Sequence, residues 1–173
     1  MPLKFLFTLI GSSLFQLVHA TPPVEVIDSC KNGKPAKATV AMTSLPMPTA
    51  QEDQPGCMDH KESTINNLNY GQITCNDKTS LIVKGKRYDL DTAVNHSVNP
   101  AITPDGDILP LSYWWTIEFN NNDFLCINTP LSPSGHGANV MQHYIVENVS
   151  NTATPVIHFY FFNKEVMPVT TTN

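Results

Sequence analysis

Cys126, His136 and Met141 are spaced ten and five residues apart in the run CINTPLSPSGHGANVM, directly after Phe124-Leu125. A thiolate, an imidazole and a thioether on one loop between two strands, joined by a second imidazole from elsewhere, form a ligand set for copper electron transfer. His96 is the candidate for that second imidazole. The sulfur has a competing use. Four cysteines, Cys30, Cys57, Cys75 and Cys126, follow position 20, and an even number in an exported chain points to two disulfides. Ligation by Cys126 would leave an odd thiol in an oxidising compartment, so cross-linking is the preferred reading, with Met141 in the core and no cofactor. Three pairings are possible. The short-range one, Cys30 with Cys57 and Cys75 with Cys126, is expected because closing shorter loops costs less chain entropy.

The order Cys126, His136, Met141 at the end of an aromatic strand resembles the copper loop of the cupredoxin family over these sixteen residues. The resemblance implies a copper site built from His96, Cys126, His136 and Met141. It implies an electron carrier or metal chaperone as the alternative function.

Other chemistry is more weakly marked. His60, His96, His136, His143 and His158 have no fixed short spacing of the H-x-H kind, although Met42, Met47 and Met58 add soft atoms near His60. No G-x-S-x-G elbow is present, and Ser134-Gly135-His136-Gly137 reads as a glycine-rich turn, which leaves a hydrolase as a minor alternative. Glu118 and Glu147 have no context that sets them at a glycosidase separation. Pro104-Asp105-Gly106-Asp107 reads as a turn, since the other ligands of a calcium loop are missing.

Tyr113, Trp114 and Trp115 form the strongest binding signal. Neighbouring side chains on a strand point to opposite faces, so one tryptophan enters the core while the other faces outward as an anchor for a protein or a sugar ring. The competing expectation covers both, one by the opposite sheet and the other by the N-terminal segment. Asn95-His96-Ser97 and Asn148-Val149-Ser150 match the glycan acceptor pattern.

These residues need elements to position them. Lys4, an apolar run to Val18 and the end Val18-His19-Ala20 read as a secretory signal over residues 1–20, and no later stretch reaches membrane-span length. After position 20, nine basic and fifteen acidic residues leave a formal charge of −6, and charged residues are only 14% of the chain, so nucleic acid is not an expected partner. The basic trio Lys84, Lys86, Arg87 reads as a solvated hairpin tip. Sixteen asparagines supply the surface polarity in place of charge.

Fourteen prolines bar long helices from most of the chain. Residues 21–63 read as a loop-rich segment with two short strands, Val24 to Ile27 and Ala38 to Met42, packed on a main domain at 64–173. There, strands alternate with turns, notably Lys84-Gly85-Lys86 and Asn120-Asn121-Asn122. Val156–Phe162 is apolar on both faces and is expected as a central strand between two packed layers. The expected fold is all-β, an antiparallel β-sandwich of immunoglobulin-like or jelly-roll-like type without a helix. The expected function is non-enzymatic: a secreted binding protein for an unknown protein or carbohydrate, of the adhesion, host-interaction or inhibitor kind.

Overall fold

Two-residue turns set the register of the chain. In a computed structural model, which describes residues 21–52, 54–104 and 107–164, Asn66-Asn67, Asn76-Asp77, Lys84-Gly85 and Asn120-Asn121 all take positive φ, between 49° and 68°. Each pair closes a hairpin. Positive φ at both central positions matches the right-handed twist of the flanking strands, and asparagine and glycine tolerate it best. Part of the asparagine content is therefore backbone chemistry and not only surface polarity.

Three of these turns link β3 (Cys57–Ile65), β4 (Leu68–Cys75), β5 (Lys78–Val83) and β6 (Lys86–Asp89) into a meander, with the short β2 (Thr49–Ala50) added beside β3. The second sheet runs β1-β8-β9-β10-β11-β7, built from β1 (Ala41–Leu45), β7 (Val94–Asn95), β8 (Tyr113–Phe119), β9 (Asn122–Pro130), β10 (Met141–Glu147) and β11 (Val156–Tyr160). The fold is an all-β sandwich. Its pairs are antiparallel except β11 with β7, where the connection out of β7 brings a parallel edge.

Between the sheets lie Tyr70, Leu81, Trp114, Leu125, Tyr144 and Phe159, all buried. The other face of the six-stranded sheet is also covered. Ile117, Phe124, Cys126, Ile145 and Tyr160 pack there against Val26, Cys30 and Val40. This accounts for β9 and β11, whose side chains are buried on both faces, and it bears out the expectation for Val156 onward.

The covering element corrects the expected strand at Val24–Ile27. Residues Val24–Asn32 form a helix, α1. Pro22-Pro23 stands where a helix needs no amide donor, and Gly33 at φ 63° ends it, with Gly33 N donating to Cys30 O and Lys34 N to Ser29 O. Val26, Ser29 and Cys30, one helical face, are buried. The second expected strand, Ala38 to Met42, lies a few residues late, at β1.

The cysteine pairing is also corrected. Cys30 is bonded to Cys126 and Cys57 to Cys75, and no cysteine is free. Loop entropy grows only logarithmically, so bringing α1 onto β9 easily outweighs the cost of a separation of 96 residues. Cys57 and Cys75 face each other directly on β3 and β4. The expected signal at residues 1–20 and the turn residues Asp105 and Gly106 lie outside the described residues. No described helix is long and apolar enough to cross a membrane.

Candidate functional site

The three aromatic residues at the start of β8 are divided between the two faces. Trp114 points between the sheets, is 3% exposed and packs against Tyr70 with ring centroids 5.6 Å apart. Trp115 is half-buried on the other face, where its ring lies 3.4 Å from the position a side chain on Gly33 would occupy, just past α1. Tyr113 stacks on Trp115 at 5.8 Å and is 61% exposed. Trp114 is thus covered by the opposite sheet and Trp115 only partly by the N-terminal segment, while the tyrosine is open.

Beside Tyr113 the chain presents more apolar surface. Leu111 is 64% exposed and Met47 46%. With Pro110, Pro130 and Met141 they line a groove of about 410 Å³ floored by Trp114 and Leu45. Leu111 and Met47 have no periodic signal in the sequence. Leu111 follows a proline in an irregular stretch, and Met47 sits between two prolines, so only the tertiary packing brings them to Tyr113.

The copper-loop residues do not come together. Cys126 is held in the disulfide to Cys30, so the thiolate the ligand set requires is absent. His136 is exposed on a short 3₁₀ turn, His136–Asn139. Met141 lies on β10 four residues from Ile145, the partner of Cys126, or about 14 Å along a strand. His96 follows β7, three strands from β9, about 14 Å across the sheet. Among the described residues no group of three His, Cys, Asp or Glu side chains is placed to hold a metal ion.

Two polar inserts occupy the helix-covered face instead. Asn128 and His143 are buried neighbours on β9 and β10. Asn128 Nδ2 donates to Cys30 O at 2.8 Å, and its Oδ1 lies 2.7 Å from His143 Nδ1, which must therefore carry the proton. Burial, with the Lys31 ammonium nearby, pushes the His143 imidazole down to about 4. Farther along the sheet, His158 is fully buried. Its Nδ1 lies 3.0 Å from His96 Nε2, and its Nε2 lies 3.8 Å from Glu147 Oε1. His96 stacks on Tyr160 at 4.7 Å. Burial lowers His96, and burial followed by Glu147 raises Tyr160. These groups lie under aromatic rings and not in a cleft, an arrangement suited to fixing α1 and β7 on the sheet.

The open edge of the sandwich carries a second cavity, about 700 Å³, between the sheets. Leu45, Ile65, Leu68 and Val149 line its apolar part, and Asn66, Asn67, Thr116, Ser150, Glu118 and Asp123 its polar part. Lys84 borders it with its ammonium committed to backbone, 2.5 Å from Asn151 O and 3.3 Å from Ala153 O. The basic hairpin tip is thus tied down at its first cation, and Arg87 donates to Gln54 Oε1 at 2.5 Å. The two glycan-acceptor amides donate to backbone as well, Asn95 to Ile102 O and Asn148 to Thr154 O.

No protein-family model, curated protein or solved structure matches this chain.

Proposed function

We propose that the protein is a secreted, non-enzymatic binding module that engages another protein through the apolar groove at the Tyr113 end of β8. The observation that carries this reading is the side-by-side exposure of Tyr113, Leu111 and Met47 around that groove. Contiguous apolar surface rimmed by polar residues marks interaction sites, and a rigid aromatic beside an apolar pocket is the usual anchor. Tyr113 has one face taken by Trp115, and the rest of the lining is proline, leucine and methionine. That chemistry suits an inserted apolar side chain better than a sugar stacked on a flat ring. Export is supported by the two disulfides, which form and persist in oxidising compartments.

A photocrosslinker tests the reading. With p-benzoylphenylalanine in place of Tyr113, the oxidised protein should form discrete adducts with extracellular proteins of the producing organism. The same group in place of exposed Lys86 should not. Excess unlabelled wild type should suppress the Tyr113 adducts, and Leu111→Asp should fail to. Identical adducts from both positions, or equal competition by Leu111→Asp, would overturn the reading.

A further inference from the structure

The inter-sheet cleft has a chemical character that the docking groove lacks. Glu118 and Asp123 are direct cross-strand partners on β8 and β9, next to the Asn120-Asn121 turn, and both line the cleft. Like charges directly opposite each other on a sheet are unfavourable unless something positive lies between them. No basic side chain does so: neither carboxylate has an ion pair or hydrogen bond among the described residues, and Lys84 is committed to the carbonyls of Asn151 and Ala153. The amides of Asn66 and Asn67 and the hydroxyls of Thr116 and Ser150 also face this cavity without a hydrogen-bonding partner among the described residues. Most other asparagines of the described chain engage backbone or side chains, for example Asn69, Asn99 and Asn128.

The backbone under these groups is already ordered. Asn66 and Asn67 are held at φ 49° and 65° by a two-residue turn, and Glu118 and Asp123 by the β8–β9 ladder. With the backbone fixed there, mainly side-chain rotamers remain to be ordered on binding. Below it, Leu45 and Val149 are buried and present an apolar floor. The volume falls within the range of cavities that hold small ligands, and a few convergent polar groups over an apolar floor are their usual lining.

We propose that this cleft binds a small amine-bearing polyol of the amino-sugar class, with its ammonium between Glu118 and Asp123. The hydroxyls of such a ligand meet the Asn66, Asn67, Thr116 and Ser150 side chains, and the C–H face of its ring lies on Leu45 and Val149. An ammonium relieves the like-charge pair, which a neutral sugar does not do. The cleft adjoins the docking groove at Leu45, which lines both, but its polar groups are separate from Tyr113, Leu111 and Met47 at the other end of β8.

The probes are a glucosamine trisaccharide with free amines and its fully N-acetylated counterpart, each titrated in the millimolar range into the oxidised wild-type protein. Binding is followed by amide chemical shifts and calorimetry. The free-amine probe should move the amides of residues 66, 67, 118, 123 and 150, and the acetylated probe should bind at least about tenfold more weakly. The double variant E118Q/D123N should keep the native amide spectrum, melt higher than wild type in the absence of probe, and lose at least about tenfold in affinity for the free-amine probe, corresponding to about 1.4 kcal/mol. L111D should bind the probe as wild type does, so failure of the docking reading leaves this one standing. Absence of shifts with the free-amine probe, equal affinity for both probes, or undiminished binding by E118Q/D123N would overturn the proposal.

Discussion

His143 shows how a single buried side chain makes this fold sensitive to pH. Its Nδ1–H is held by Asn128, and Phe162 leans on the ring at 5.1 Å while the Lys31 ammonium sits over the same phenyl ring at 4.5 Å. Burial disfavours the charged imidazole, and protonation would also add a second positive charge to that stack, so the folded-state pKa is depressed to about 4, below the ordinary 6.5. The unfolded chain takes up a proton in that window and the folded one does not. Stability is therefore complete above about pH 6.5 and falls as the pH drops towards 4, by on the order of 3 kcal/mol. Burial lowers His96 as well, which acts with the same sign. Urea unfolding at a series of pH values between 7 and 4.5 should show this decline, and His143→Gln should flatten much of it. A slope unchanged in His143→Gln would remove this histidine from the explanation.

At the scale of elements, the decisive unit is α1 with its disulfide. The helix is nine residues long and has no side-chain cap at its start, so alone in water it would be marginal. Its stability comes from Val26 and Cys30 against Ile117, Phe124 and Ile145, and from the bond to Cys126. Replacing Cys30 and Cys126 together with Ala should cost about 2–5 kcal/mol, and hydrogen exchange should lose protection over residues 24–32 and around Asn128. Replacing Cys57 and Cys75 should leave that protection in place, because their bond joins strands already paired. Equal loss of helix protection in the two double variants would show that the helix is not held by its own cross-link. The helix had sequence signals that the proline count obscured: Pro-Pro at the start, Gly33 at the end, and apolar positions at helical spacing.

At the scale of the molecule, three layers share one central sheet: α1, the six-stranded sheet and the meander. Trp114 is part of the contact between the two sheets, while Tyr113 touches mainly Trp115 and solvent. Trp114→Ala should therefore destabilise the whole protein by about 3–5 kcal/mol in a single unfolding transition. Tyr113→Ala should stay within about 0.5 kcal/mol of wild type. Comparable losses in thermal or chemical unfolding would mean that Tyr113 is structural and would count against the proposed docking role of its groove. Trp115→Ala should fall between them, since the ring is half-buried against the turn after α1.

Although the helix α1 was not expected, the β-sandwich class, the hairpins at Lys84-Gly85 and Asn120-Asn121, the doubly covered strand at Val156 and the use of all four cysteines in cross-links were legible from residues alone. Each rests on local chemistry: positive φ, two-residue alternation, uninterrupted apolar runs, and sulfur in an oxidising compartment. The pairing of Cys30 with Cys126, the gathering of Leu111 and Met47 beside Tyr113, and the meeting of the Glu118–Asp123 pair with Asn66 and Asn67 in one cleft were decided by tertiary structure. Such juxtapositions depend on how layers stack and which strands become neighbours. Spacing along the chain does not encode this, because the entropy of closing a long loop rises so slowly that near and far partners compete almost equally.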